Sequence, residues 1–245
     1  MKAHEIEYVL HGDDMQFVEI ELDPRESVIA EAGAMMMMDY DIQMETLFGD
    51  GGKKCGLLGV LGGAAKRVIT GESLFVTSFT NIGNKKQHIS FASPYPGKII
   101  PVDLSKYNGK VICQKDAFLC AAKGVSIGIA FTKKIGAGFF GGEGFILQKL
   151  EGDGLAFIHA GGTITKKTIL SGEALKVDTG CLVAMTSDVK YDIEFVGGIK
   201  NTLFGGEGMF LATLSGTGDV WIQSLPFNRL ASKVFSLAPP NFNNN

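Results

Sequence analysis

The residues of this chain that could do acid–base chemistry are three glutamates that recur in one local pattern. Glu72, Glu143 and Glu207 each follow a glycine and precede an apolar, strand-like run. Carboxylates that are held close together can act as general acid and general base. Because these three recur at intervals of about 65–70 residues, we expect them at equivalent positions of repeated units. A turn-stabilising role, in which each carboxylate accepts backbone N–H bonds beside its glycine, is therefore the stronger interpretation.

Other residues that could support catalysis are few. His159 lies in the apolar run Phe157 to Ala160 before two glycines, and this setting favours a structural histidine over a catalytic one. The nucleophile motif GxSxG is absent, since leucine follows Gly71-Glu72-Ser73. The sequence therefore predicts no catalytic residue and favours a non-enzymatic protein. The alternative is an enzyme or small-molecule binder with a pocket between repeats.

Metal and cofactor sites are not predicted either. The cysteines form no CxxC pair and the histidines are scattered, which argues against zinc. The run Met35 to Met38 could suggest Cu(I), but it has no MxxM spacing and no nearby histidine, so packing in a core or an interface is favoured. Three cysteines lie in apolar runs, and buried thiols fit a reducing cytosol. The residues weighed here are Cys55, Cys113, Cys120, Cys181, His4, His11, His88 and His159.

The glycine-rich stretch from Gly49 to Arg67 is the most unusual part of the sequence. It resembles a phosphate-binding loop but does not fit G-x-x-x-x-G-K-[ST] in any alignment. Its composition leaves three interpretations open: a loop packed inside an oligomer, a loop facing a protein or lipid partner, and a phosphate cradle. The predicted interaction-loop residues are Lys53, Lys54, Leu57, Leu58, Val60, Leu61, Lys66 and Arg67.

The composition of the chain is that of a globular protein with many turns. Of 245 residues, 45% are hydrophobic and 20% are charged, and there are 33 glycines. That glycine content is about twice the usual ~7% and indicates tight turns and bulges. The net charge of −3 makes nucleic-acid binding an unfavoured prediction. No signal peptide and no run of about 18 apolar residues is found, so a cytoplasmic location without a transmembrane segment is expected.

Apolar residues alternate with polar ones along most of the chain, which predicts strands. Met15 to Leu22 places Val18, Ile20 and Leu22 on one side and Glu19 and Glu21 on the other. From Gly71 the chain is predicted to form a meander, and Glu151 to Gly154 is predicted to form a hairpin turn. Long helices are not predicted.

The recurring motif and the strands together predict an all-β chain of three pseudo-repeated β-sandwich units, similar to a double-stranded β-helix, with internal pseudo-threefold symmetry. Units of this size bury too little apolar surface alone, so neighbours are expected to share sheets. We predict a single compact unit over 1–237. It consists of repeats near 4–70, 71–141 and 142–205, a closing half-repeat over 206–237, and a frayed tail over 238–245.

Three stretches of the sequence also resemble a known family. They are Gly59 to Arg67 leading into Thr70 to Phe75, Phe139 to Phe145, and Leu203 to Phe210. In this order they resemble the altered-inheritance-of-mitochondria, or mitochondrial biogenesis, proteins, and the resemblance extends from about Tyr8 to about Gln223. No mitochondrial presequence precedes them, so the chain resembles the bacterial members of unknown function.

The resemblance implies a fold similar to that of the tryptophan RNA-binding attenuation protein, whose units assemble into rings. A homotrimer would place nine units around such a ring. The expected function is a ring-forming scaffold that binds an unknown protein partner and that could contact a membrane peripherally. A single-stranded RNA-binding ring is the further alternative, for which the sequence offers loop lysine pairs at Lys85-Lys86, Lys133-Lys134 and Lys166-Lys167.

Overall fold

The computed structural model describes residues 2–31, 33–48, 75–133, 145–196 and 209–237. These residues form nineteen strands, three short 3-10 helices and one α-helix, α1 (Phe227–Phe235). The prediction of an all-β chain is therefore confirmed. The strands are β1 (Glu7–His11), β2 (Phe17–Leu22), β3 (Ser27–Glu31), β4 (Met35–Met38), β5 (Ile42–Phe48), β6 (Phe75–Asn81), β7 (Gln87–Ala92), β8 (Gly97–Asp103), β9 (Lys110–Gln114), β10 (Phe118–Ala122), β11 (Ser126–Lys133), β12 (Phe145–Glu151), β13 (Leu155–Gly161), β14 (Ile164–Ile169), β15 (Ala174–Asp178), β16 (Leu182–Thr186), β17 (Val189–Val196), β18 (Met209–Gly216) and β19 (Gly218–Gln223).

Four sheets contain these strands. Their orders are β1-β2-β7-β4, β5-β6-β3-β10-β13-β8, β11-β12-β9-β16-β19-β14 and β15-β18-β17. Every pair of named strands that the structure describes is antiparallel. The strand order of the second six-stranded sheet equals that of the first with each strand number raised by six. The three-stranded sheet follows the order of one half, β2-β7-β4 follows the order of the other half, and β1 has no counterpart.

The alternation read from the sequence explains how single strands pack. In β2, Val18, Ile20 and Leu22 are buried, while Phe17 and the two glutamates are half-buried. Phe79 and Phe91 from two different sheets meet edge to face, with ring centroids 5.4 Å apart. Side chains of neighbouring sheets therefore interdigitate, as in other sandwiches, and the buried apolar residues form two clusters.

Each six-stranded sheet is held together at a central joint between two groups of three strands. In one, β3 pairs with β10, and Ala30 lies opposite Cys120. In the other, β9 pairs with β16, and Cys113 lies opposite Ala184. Both joints are fully buried, so each group covers the edge of the other.

A β-bulge occurs at the same place in three strands. The register shifts between Met35 and Met37 of β4, between Phe118 and Cys120 of β10, and between Leu182 and Ala184 of β16. Each bulge faces the strand on the side away from the joint: β7, β13 and β19 respectively. A bulge re-aims the chain locally, and its recurrence makes β4, β10 and β16 geometrically equivalent.

One expectation about turns is wrong. Glu151 to Gly154 is not a hairpin turn, because β12 and β13 lie in different six-stranded sheets. The turn is a corner at which the chain crosses between sheets, and Gly152 adopts φ of 150° there. The same correction applies to the predicted meander from Gly71, since β6 and β7 also lie in different sheets. Period 2 identifies a strand but not the sheet that it joins.

The helix α1 was not predicted. Its apolar residues follow the spacing i, i+3, i+4, i+7 and i+8, from Phe227 to Phe235, directly after Pro226. That spacing is helical and could have been recognised in the sequence. Among the residues that the structure describes, no helix combines the length and the apolar composition that a membrane crossing requires.

Candidate functional site

The predicted interaction loop lies outside the described residues, between β5 and β6 in sequence. The same is true of the three recurring glutamates, Glu72, Glu143 and Glu207. In sequence, they belong to the segments that follow β5, β11 and β17. Those strands pair with β6, β12 and β18 respectively, so all three segments join strands of a hairpin. The predicted residues left outside the described part are Lys53, Lys54, Leu57, Leu58, Val60, Leu61, Lys66 and Arg67.

His159 lies in β13 in a buried setting. Its ring meets that of Tyr95 edge to face, with centroids 4.8 Å apart. Burial lowers the pKa of His159 to about 4, although a hydrogen bond to the Asp116 backbone acts in the opposite direction. The imidazole is therefore neutral at pH 7, and the neighbouring Tyr95 hydroxyl has a pKa raised to about 12, mainly by burial. Both side chains are thus uncharged at neutral pH, which fits the structural interpretation of His159.

Glu31 is the last residue of β3, at the joint between β3 and β10. Burial, aided by the charge of Asp116 and opposed by Lys115, raises the pKa of Glu31 to about 7. The carboxyl group is thus partly protonated at neutral pH, unlike an exposed glutamate. Gln114 holds the matching position at the end of β9, and its Nε2 donates to the Thr179 carbonyl across the second joint at 2.6 Å. Both joints thus carry a polar side chain at the end of the first strand.

The two smaller sheets leave this kind of joint open. In the part of the chain that the structure describes, β4 pairs only with β7, and β15 pairs only with β18. Their counterparts β10 and β16, and β3 and β9, are paired on both sides. Other outer strands have counterparts that are also outer strands. β5, β11 and β17 each lie at the end of their sheet, and so do β8 and β14. Only β4 and β15 lack a neighbour that their counterparts have.

The open edges are apolar and exposed. Met36, Met37 and Met38 of β4 have exposed fractions of 50%, 47% and 36%. The corresponding residues of β10 and β16 are all buried. A short strand with three exposed methionines is an unprotected edge that can template pairing with another chain. No charged residue occurs in β4, and so nothing in it repels a partner strand.

The other open edge, β15, has the same character on a smaller scale. Val177 is buried, Leu175 is half-buried, and Ala174 and Lys176 are exposed. In β3 the matching residues are buried on both faces of the strand. We call the free sides of β4 and β15 the two open edges.

The helix α1 lies beside the end of β15. Arg229 Nη2 lies 3.2 Å from Asp178 Oδ2, and Phe227 stacks on Tyr95 with centroids 5.2 Å apart. The C-terminal half of its apolar stripe, Val234 and Phe235, is exposed. The helix thus carries exposed apolar side chains and is tied to the end of β15 by an ion pair.

The lysines that could contact RNA were predicted in loops, but Lys133 ends β11 and Lys166-Lys167 lie in β14. Two of these lysines are paired with carboxylates. Lys86 forms ion pairs with Glu21 and Glu7, and Lys166 Nζ lies 2.7 Å from Asp219 Oδ2. Lys166 also sits 5.2 Å from the centre of the Trp221 ring. A phosphate would have to displace these carboxylates to bind Lys86 or Lys166. Lys134 lies outside the described residues.

The pocket and the metal-ligating side chains in the described part of the chain do not suggest a small-molecule or metal site. One open pocket of about 180 Å³ is lined by residues that include Tyr107, Asp188 and Asp219. Small-molecule sites usually enclose about 300–1,000 Å³, so this pocket is too small for a typical cofactor. Within the described ranges, no group of three or more His, Cys, Asp or Glu side chains could hold a metal ion.

Comparison with known proteins gives a consistent result. The family described as "Mitochondrial biogenesis AIM24" matches residues 8–225. An uncharacterized protein of Streptococcus pyogenes serotype M6 is 29% identical over 232 residues, which is 94% of this chain and 90% of that protein. The X-ray crystal structure of another Streptococcus pyogenes protein superposes with a TM-score of 0.74 at 23% identity, covering 96% of this chain and 100% of that chain. That likeness concerns the fold.

Proposed function

The chain belongs to the mitochondrial biogenesis AIM24 family, and on that premise we propose that it is a non-enzymatic β-scaffold that assembles with copies of itself into a closed ring. The observation that carries the proposal is the pair of open edges. β4 is an end strand of the first sheet, and β15 is an end strand of the last sheet. Because the two strands are of complementary types, pairing of β15 in one copy with β4 in another can continue from copy to copy.

The correspondence between the sheets supports a repeated unit. The joints β3–β10 and β9–β16 have the same strand polarity, and the same bulge lies beside each of them. A third joint of this series requires β15 and an equivalent of β10, and the equivalent strand that is available is β4. Since β4 and β15 belong to different ends of the strand series, we propose that a second copy provides it.

A joint between unlike edges is heterologous, and such contacts form either a closed ring or an open fibre. We propose closure, with three copies as the resemblance implies. The buried thiols of Cys113 and Cys120 support a reducing compartment such as the cytoplasm. We also propose that the ring binds a protein partner. The alternatives to this scaffold function are an enzymatic role and an RNA-binding role.

The proposal is tested by the mass of the protein in solution. Size-exclusion chromatography with light scattering at micromolar concentration should give about three times the 26.2 kDa of the chain. A strictly monomeric protein would contradict the scaffold. A mass that rises without limit with concentration would contradict closure of the ring.

An edge variant shows whether β4 carries the assembly. Met37→Lys should weaken association by about 100-fold or more, because the ammonium group would have to enter a joint whose counterpart position, Cys120, is fully buried. The matched control is Ile82→Lys, since Ile82 is 63% exposed and lies in the turn after β6. Equal association of both variants would remove β4 from the interface.

A further inference from the structure

We infer that the joint between copies pairs β15 of one copy with β4 of the next in a defined antiparallel register, with Val177 directly opposite Met37. The inference rests on the proposed ring and specifies its contact residue by residue. It follows from the two joints within the chain, which have the same alignment relative to their bulges.

The position of the second strand is fixed by the bulge. In β10 the first residue after the bulge pair is Cys120, which faces Ala30. In β16 it is Ala184, which faces Cys113. In β4 it is Met37. Met37 is thus the residue that should face the new partner.

The position of the first strand is fixed by the chain itself. In each internal joint, one residue of the first strand faces the residue that follows the bulge. This residue is Ala30 in β3 and Cys113 in β9. Ala30 lies as far before β4 in the sequence as Cys113 lies before β10. Val177 precedes β16 in the same way. Val177 should therefore face Met37, and Lys176 should face Met38, just as Ile29 faces Ala121 and Ile112 faces Met185.

The contact has the chemistry of a stable joint. Three exposed methionines would be covered, and methionine adapts its shape to an uneven surface. No pair of like charges meets, because β4 is uncharged and β15 carries one lysine and one aspartate. The apolar stripe of α1 lies next to this contact, since Arg229 is bonded to Asp178 at the end of β15.

The occupant is a second copy rather than an unrelated strand, because the register and the polarity already exist twice within the chain. Pairing of like edges, β4 with β4 or β15 with β15, is the alternative for a dimer. The two internal joints argue against it, since each joins strands of different types.

Paired cysteines test the register directly. Met37→Cys with Val177→Cys should give an intermolecular disulfide on oxidation, seen as dimer and trimer bands without reductant that collapse to monomer with it. Opposite strand residues lie within the Cα distance that a disulfide spans. Both sites tolerate cysteine by analogy, because Cys120 and Cys113 occupy the matching positions of the internal joints.

A second cysteine pair controls for a folding defect caused by substitution of the buried Val177. Met38→Cys with Lys176→Cys should cross-link as well, and both of these side chains are exposed. The control with shifted register is Met37→Cys with Lys176→Cys, which should stay uncross-linked because neighbouring residues point to opposite faces. The four single variants measure any disulfide made with native thiols such as Cys181.

Each outcome decides between the two levels of the proposal. Cross-linking by both matched pairs but not by the shifted pair supports the register. A light-scattering oligomer whose matched pairs fail to cross-link overturns the register and leaves the ring standing. Cross-linking by Met37→Cys alone overturns the register in favour of β4 pairing with β4. A monomer without cross-links overturns both.

Discussion

His159 and Gln223 hold corresponding places in β13 and β19, and they fasten neighbouring segments in similar ways. Gln223 Nε2 donates to the Gly180 carbonyl at 2.8 Å, and its Oε1 accepts from the Gly161 N–H at 2.7 Å. His159 bonds to the backbone of Asp116, which precedes β10 as Gly180 precedes β16. A side-chain donor at this position therefore ties one strand group to the next.

This role predicts which substitutions of His159 are tolerated. His159→Gln should keep the folding free energy within about 1 kcal/mol, because an amide can make the same bond. His159→Leu should cost about 1–3 kcal/mol, because the Asp116 carbonyl loses its donor in a buried place. Denaturant unfolding measures both. Equal losses for Gln and Leu would show that shape, rather than the hydrogen bond, decides.

Glu31 predicts a dependence of stability on pH. Its pKa is raised from 4.5 to about 7 in the folded state, so the folded protein holds a proton that the unfolded chain releases. Its contribution to stability is therefore complete below pH 4.5 and is lost as the pH rises to about 7. Glu31→Gln should reduce the fall in unfolding free energy across this window by about 1–3 kcal/mol. An unchanged pH profile would contradict the raised pKa.

At this scale the sequence predicted residue roles well where the pattern was local. The burial predicted for Cys113 and Cys120 is confirmed. His159 is buried as well, and its structural role stays a prediction. The proximity of Glu31 to Asp116 could not be predicted, because it depends on which strands share a sheet. The roles of the recurring glutamates and of the interaction loop stay predictions.

Strands were easier to predict than their pairing. Period 2 identified strands such as β2, but the corner at Gly152 was predicted as a hairpin. Glycine at a positive φ allows a sharp corner as readily as a tight hairpin turn. The sequence therefore does not say whether the next strand returns beside the last one or crosses to another sheet.

The burial of the methionine strand β4 was also difficult to predict from the sequence. Packing in a core or an interface was predicted for Met35 to Met38, and the structure places three of them at the surface of one copy. The interface half of that prediction is the one that the proposed ring uses. Burial depends on neighbours that a single chain does not contain.

The helix α1 predicts a local effect on stability. Phe227→Ala should cost about 1 kcal/mol, because it removes an aromatic stack on Tyr95. The matched control is Phe235→Ala in the last turn of the same helix, where the side chain is 76% exposed, and it should change stability by less than about 0.5 kcal/mol. Denaturant unfolding compares the two, and equal losses would mean that Phe227 does not anchor the helix.

For the whole molecule, the all-β class followed from alternation and turn residues alone. The predicted repeat boundaries near 71, 142 and 206 fall outside the described residues and stay predictions, as does the single compact unit. That neighbouring units share sheets was expected, but the strands that form each joint, β3 with β10 and β9 with β16, could not be predicted. These joints link the fold to the proposed assembly.

The central claim is that neighbouring copies cover both open edges, and hydrogen exchange of the backbone amides tests it most directly. In the intact protein, the amides of β4 and β15 should exchange as slowly as those of β10 and β16, because each of these strands then has a hydrogen-bonded neighbour on both sides. Met37→Lys should accelerate exchange in these two strands and leave β10 unchanged. Fast exchange of β4 and β15 in the unmodified protein, at concentrations where the ring should form, would contradict the account.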